Sequence, residues 1–163
     1  MKIGVVSDTH GRAIPKQLIE DFKTVDLIIH AGDFTTAADL KIFTDLKEVK
    51  AVYGNMDEPK LRQKLPEKSI LKVDDCTVGV FHGEGSPQKI LEAVKAKFKN
   101  DKVDAIIFGH SHVPCNQEIN GVLFFNPGSP NDTVRAPYCS YGFLEIHGTN
   151  IAGKIVKLKD GYE

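Results

Sequence analysis

Short apolar runs alternate with polar, turn-forming stretches along the whole chain, and five of these runs end in residues able to bind a cation. Ile3-Gly4-Val5-Val6 stops at Ser7-Asp8-Thr9-His10, the pattern of a buried strand that delivers polar groups at its carboxyl end. After Ile14-Pro15, the spacing of Leu18, Ile19 and Phe22 predicts a helix with proline near its first turn. Leu27-Ile28-Ile29-His30 leads through Gly32 to Asp33, and Leu40, Phe43 and Leu46 lie at helical spacing within Thr36 to Leu46. Val49 to Tyr53 predicts a third strand, running into Gly54-Asn55-Met56-Asp57. Glu58 to Lys68, with two prolines, reads as a loop or short irregular helix.

The second half has more hairpins. Ile70 to Val73 and Thr77 to Phe81 flank Asp74-Asp75, and the second of these strands delivers His82. Ser86-Pro87 opens a helix whose stripe of Ile90, Leu91, Val94 and Phe98 ends near Asn100. Val103 to Phe108 then leads into Gly109-His110-Ser111-His112. Gln117 to Ile119 and Val122 to Phe125 flank Asn120-Gly121, a pair that readily takes the left-handed turn conformation. Asn126-Pro127-Gly128-Ser129-Pro130 breaks the sheet, and Tyr138 to Ile146 with Ile151 to Leu158 predicts a closing antiparallel hairpin.

Composition narrows the reading. A chain of 163 residues is of common single-domain size, and no linker or repeat divides it, so one domain over 1–163 is expected. A formal charge of −1 supplies no basic track, so strong nucleic-acid binding is not expected. The apolar runs are too short to span a membrane, and the first run meets Asp8 too early for a signal-peptide core, which predicts a cytoplasmic protein. Cys76, Cys115 and Cys139 are far apart and odd in number, and read as reduced packing residues.

The chemistry lies in the set of tips: Asp8 and His10, Asp33, Asn55, His82, and His110 with His112. Open α/β sheets place their sites at strand carboxyl ends. Taken singly, Asp33 fits a helix cap, His30 a satisfied core histidine, and His110-x-His112 a polar loop. A glycine before the last pair lets the backbone turn and aim two imidazoles at different points, which suggests two metals. Seven oxygen and imidazole donors without a thiolate suit Mn, Fe, Co, Ni or Zn better than a closed structural zinc site.

The ordered pattern Asp8-x-His10, Gly32-Asp33, Gly54-Asn55-x-Asp57, His82 and Gly109-His110-x-His112 resembles the calcineurin-like metallophosphoesterases. The short length, with Asn126-Pro127-Gly128-Ser129 and Arg135, is similar to the compact phosphodiesterase branch of that family. The resemblance implies an α/β fold, a four-layer α/β/β/α sandwich of two mixed β-sheets flanked by helices. It implies two divalent ions per chain, manganese first, with Ni, Fe, Co or Zn as the others. Asp8, His10 and His112 would hold one ion, Asn55, His82 and His110 the second, and Asp33 would bridge them. Asp33, Asn55 and His82 are thereby expected to be catalytic, and Asn55, Ser129 and Arg135 to contact substrate, with Asn126 ordering the loop. For Asn126 to Ser129 the alternative is a plain turn, and for Arg135 a solvated charge.

The expected activity is hydrolysis of a small phosphodiester, nucleotide derivatives among them, by a hydroxide activated at a dinuclear centre. One position departs from the family pattern. Members with a strong acid catalyst carry histidine where this chain has Met56, and a thioether cannot protonate a leaving oxygen. Asp57 then loses its usual partner and becomes a turn or helix-start acid. Two other functions compete: a scaffold related to retromer's small metallophosphoesterase-like subunit, and a phosphomonoesterase. A homo-oligomer is left open.

Overall fold

In the computed structural model, which describes residues 1–159, the apolar runs assemble into two five-stranded mixed sheets. Residues 160–163 of the expected domain lie outside the described residues. The chain runs β1 (Lys2–Val6), α1 (Lys16–Phe22), β2 (Leu27–His30), α2 (Ala37–Thr44), β3 (Val49–Ala51), α3 (Pro59–Lys64), β4 (Lys68–Val73) and β5 (Cys76–Phe81). It continues through a 3-10 turn (Pro87–Lys89), α4 (Ile90–Lys97), β6 (Ala105–Ile107), β7 (Cys115–Ile119), β8 (Val122–Asn126), β9 (Ser140–His147) and β10 (Asn150–Lys157). One sheet has the order β10-β9-β1-β2-β3 and the other β4-β5-β6-β8-β7.

Period-two alternation along the strands sorts side chains into three apolar layers. Ile3, Val5, Leu27 and Ile29 from the first sheet meet Val78, Val80, Ala105, Ile107 and Phe125 from the second, forming the core between them. The opposite face of the first sheet, with Val6, Ile28, Tyr141 and Phe143, packs on Leu18 and Phe22 of α1 and Phe43 of α2. The outer face of the second, with Phe81, Ile106 and Phe124, packs on Ile90 and Val94 of α4 and on Phe98. Burying side chains of this size contributes about 1.5–3 kcal/mol each before chain entropy is counted. The result is the expected α/β/β/α sandwich.

Local rules set the ends of the elements. Thr36 and Asp39 close a reciprocal capping box on α2, with Asp39 Oδ2 accepting from Thr36 N at 3.0 Å and Thr36 Oγ1 from Asp39 N at 3.3 Å. The third strand is shorter than the pattern predicts, because Tyr53 N leaves the sheet for Pro66 O at 3.1 Å. Of the two readings of the stretch from Glu58, the short helix is the one present, with Pro59 in its first turn, and Lys68 already belongs to β4. Helix α4 stops at Lys97, before Asn100. Strands β1, β2 and β3 are parallel, as are β5, β6 and β8, so each sheet gathers three carboxyl ends at one edge. No helix among the described residues is long and apolar enough to cross a membrane.

Candidate metal centre

Beyond those carboxyl ends the backbone turns through left-handed conformations that sequence patterns do not forecast. Asp8, His10, Asp33, His110 and His112 have φ of 57°, 49°, 58°, 67° and 59°. Side chains other than glycine enter this region at about 1–2 kcal/mol each, and such strain collects where function over-determines the geometry. Hydrogen bonds between tips hold the turns: Asp8 N donates to Gly32 O at 3.0 Å, His10 N to Asp33 O at 2.9 Å and Gly109 N to His82 O at 2.9 Å. Two glycines permit the close approach. A Cβ on Gly54 would stand 2.0 Å from Asp33 Oδ1, and one on Gly109 would stand 2.0 Å from Ser7 Oγ and 2.6 Å from Asp8 Oδ2.

Five of the seven predicted ligands converge in two overlapping sets, Asp8 with His10 and His112, and Asp8 with Asp33 and His82. Asp8 Oδ1 lies 3.3 Å from His112 Nε2, 3.7 Å from His10 Nε2 and 3.8 Å from His82 Nε2. Asp33 Oδ2 lies 3.2 Å from His82 Nε2 and 3.8 Å from His10 Nε2. Both carboxylates therefore have an oxygen between the two sets, where the expectation gave the bridging position to Asp33 alone. Asp8 Oδ2 is already used, accepting from Ser7 Oγ at 2.8 Å and His110 N at 3.0 Å.

The outer nitrogens of three histidines have fixed partners. His82 Nδ1 is 2.7 Å from Ala31 O, His110 Nε2 is 2.7 Å from Gly85 O, and His112 Nδ1 faces Asp132 Oδ2. A carbonyl or carboxylate accepts only, so each of these nitrogens carries the hydrogen, and the opposite nitrogen becomes the lone-pair donor once the ring is neutral. For His82 and His112 that opposite nitrogen is the one facing Asp8.

Charge organises the cluster. Burial by itself would raise the Asp8 carboxyl, but the charge of His82 and hydrogen bonds from His10 and His112 hold it well below the usual range. Burial would lower the His82 imidazole, but Asp8 and Asp33 raise it to about 9. His112 is likewise raised, because Asp8 and Asp132 outweigh burial. The donor set fits divalent cations on one further observation: Asp8 Oδ1 and His82 Nε2 are buried without a hydrogen-bond partner. Such groups cost about 1–3 kcal/mol unless something binds them, and a cation would satisfy both. His30 stays outside the centre, fully buried, with Nδ1 accepting from Gly32 N at 3.2 Å and Nε2 3.3 Å from Thr9 Oγ1. It is the satisfied core histidine.

The other predicted residues fall around this cluster. Asn55 is exposed on the loop after β3, and His110, whose ring centroid stands 5.3 Å from that of His82, borders the two sets without joining them. Ser129 is fully buried, donating to Asp8 O at 2.8 Å and accepting from Asp132 N at 3.1 Å, which places it beneath the centre as a support. Arg135 is exposed on the following loop. Asn126 Oδ1 accepts from Gly128 N at 2.9 Å within the loop it is expected to order, and its Nδ2 also reaches a strand tip, donating to Gly109 O at 3.0 Å. Met56 is 57% exposed, while its N–H donates to Asp33 Oδ1 at 2.8 Å. Asp57 is a buried turn acid, accepting from the N–H groups of Gly54 at 2.7 Å, Thr35 at 2.7 Å and Asp33 at 3.0 Å. Asp132 and Asn131 were not foreseen. Asn131 Nδ2 donates to Thr9 O at 3.0 Å, and no apolar run marks either residue as a tip.

The chain resembles known proteins over nearly its full length. Residues 1–149 match the family described as the calcineurin-like phosphoesterase superfamily domain. A Methanocaldococcus jannaschii protein named probable metallophosphoesterase is 42% identical over 165 residues, covering 98% of this chain and 83% of that protein. A phosphodiesterase of the same organism is 33% identical over 144 residues, covering 78% of this chain and 83% of its own. The crystal structure of wild-type Vps29 complexed with zinc, from Entamoeba histolytica, superposes with a TM-score of 0.75 at 25% identity, covering 96% of this chain and 99% of that one.

Proposed function

We propose, for a chain that belongs to the calcineurin-like phosphoesterase superfamily, that the strand-tip cluster binds two divalent ions and hydrolyses small phosphodiesters. The observation that carries this reading is the meeting of Asp8, His10, Asp33, His82 and His112, with two of their buried donor atoms unsatisfied. Asp8, His10 and His112 hold one ion. Asp33, His82, His110 and Asn55 would hold the second, with Asp8 and Asp33 both standing between the two sets. Two divalent ions so bound polarise phosphoryl oxygens and lower the pKa of a water that serves as nucleophile. Two carboxylates leave such a centre net positive, and the neutral Asn55 preserves that bias toward an anionic ester. Manganese is the first metal to test. The named phosphodiesterase relative supports a diester substrate, and the formal charge of −1 argues against long nucleic acid.

The chain's own residues set the limits of the reaction. Held between the two sets, Asp33 and Asp8 orient the ligands before substrate arrives. Arg135, exposed beyond the centre, is the candidate to pair with a non-bridging phosphate oxygen. No imidazole stands at Met56, so a departing alkoxide receives no proton from that side chain.

A second reading has one observation in its favour. Vps29 shares the fold, and this chain places an exposed methionine at the mouth of the centre, where a partner protein would find an apolar contact. A metal-by-substrate panel separates the alternatives: metal-depleted protein, reloaded with Mn²⁺, is assayed on an aryl phosphodiester and the matching monoester. Diester turnover that Asp33→Asn abolishes, with an unchanged circular dichroism spectrum, is the expected result. Two-ion binding without turnover of either ester favours the scaffold, and a faster monoester rate makes the protein a phosphomonoesterase.

A further inference from the structure

Asp132 stands outside every element and outside both ligand sets, yet it touches the centre and the loop that carries Arg135. Its Oδ2 accepts from His112 Nδ1. Its Oδ1 accepts from the backbone N–H of Val134 at 2.9 Å and of Arg135 at 3.0 Å. Its own N–H is held by Ser129 Oγ, and Ser129 donates onward to Asp8 O. The residue is 3% exposed, so water offers little substitute for these bonds. We propose that Asp132 is a positioning residue that joins two parts of the site: it fixes the His112 ring with Nε2 toward the cation, and it locks the 132–135 turn that presents Arg135.

The argument rests on how many acceptors each side chain owns. A carboxylate has two acceptor oxygens, and this fold uses one on the ring and the other on two backbone N–H groups. An asparagine in the same place has one acceptor and one donor. If its oxygen faces the turn, its NH₂ meets His112 Nδ1, and the ring must move its hydrogen to Nε2, which then cannot ligate. If the amide flips, the ring keeps its tautomer, and the N–H groups of Val134 and Arg135 lose their acceptor. Asp132→Asn therefore cannot preserve both halves. Partners of metal-bound histidines are typically worth about 10- to 100-fold in metal affinity or activity.

Coupling follows from the shared carboxylate. Because one side chain holds both the ring and the turn, an ion that immobilises His112 also reduces the freedom of the turn, and loss of the turn loosens the ring. The second set shares Asp8 with the first, but among the described residues the only link from Asp132 to Asp8 apart from the His112 ring is its backbone bond to Ser129, which a side-chain substitution leaves in place, so the second binding event is expected to be spared.

The inference rests on the two-ion reading, and one titration tests both without confusing them. Calorimetry of the wild-type protein with Mn²⁺ establishes whether two ions bind. With that in hand, Asp132→Asn is expected to weaken one of the two binding events by about 10- to 100-fold and spare the other. On a His112→Ala background the same substitution is expected to weaken binding no further, since its effect runs through that ring. Hydrogen exchange across residues 131–137 of the unmodified protein, followed by mass spectrometry, needs no variant to fold. Added Mn²⁺ is expected to slow exchange there. Two unaltered binding events in Asp132→Asn, a further loss on the His112→Ala background, or exchange indifferent to Mn²⁺ in protein that binds two ions would each overturn the proposal while leaving the metal centre standing.

Discussion

Acidification offers a test of the core beneath the centre, through a histidine that binds no cation. His30 is fully buried at the end of β2, and its ring centroid lies 4.9 Å from that of Phe34 and 5.2 Å from that of Phe43. Burial lowers its pKa from 6.5 to about 3. The folded state therefore binds fewer protons than the unfolded state between these values, so the contribution of His30 is intact above pH 6.5 and is lost as pH falls toward 3. At 1.36 kcal/mol per unit, the whole window is worth about 5 kcal/mol, and the part reached by pH 5 about 2 kcal/mol. His82 runs the other way: raised to about 9, it stabilises metal-free protein fully below 6.5 and loses that contribution as pH rises through 9, so from pH 7 to 5 it offsets about 0.8 kcal/mol of the His30 loss. His112, also raised, adds to that offset, so the His30 share is read as a difference: from pH 7 to 5, urea unfolding of metal-free protein should show wild type losing about 2 kcal/mol relative to His30→Phe, in which the other titrations are common. His30→Phe removes the titration. It also leaves Gly32 N and Thr9 Oγ1 without their partner, at about 1–3 kcal/mol. That cost is independent of pH, so the variant should be weaker at pH 7 and lack the roughly 2 kcal/mol that His30 costs the wild type by pH 5. Equal slopes in the two proteins would refute the reasoning, because the proton taken up on unfolding would then belong to another group.

Gly54→Ala places a Cβ 2.0 Å from Asp33 Oδ1 and 2.6 Å from Asp33 N; it should weaken Mn²⁺ binding at least tenfold, measured by calorimetry, with thermal unfolding of the metal-free protein as the control for gross damage. If Met56 marks a missing acid, log kcat/KM should fall steeply with leaving-group pKa across a series of diesters. Met56→His should raise rates for poor leaving groups only, by tenfold or more, since general acid catalysis is worth about 10²- to 10⁴-fold in good geometry. A flat wild-type plot, with chemistry rate-limiting, would show that another group supplies the proton.

What the sequence determined by itself was whatever depends on neighbours along the chain. Two-residue alternation and apolar runs placed the strands, Asn120-Gly121 placed a hairpin, and the carboxyl ends of five runs placed the candidate ligands, because a buried strand exposes its next polar residues at its tip. The same local logic failed where non-local bonds decided. Tyr53 leaves its strand for Pro66 O, although the apolar run continues through it. Only the tertiary structure decided that Asp8 lies between both ligand sets, that His110 turns its Nε2 to Gly85 O, and that Ser129 lies buried beneath Asp8. It alone brought Asp132 to His112, twenty residues away and after a loop without periodicity. The physical reason is that periodicity reports which face of an element is buried, whereas the direction of a ring nitrogen is set by the acceptor behind it, and that acceptor arrives from a distant part of the chain.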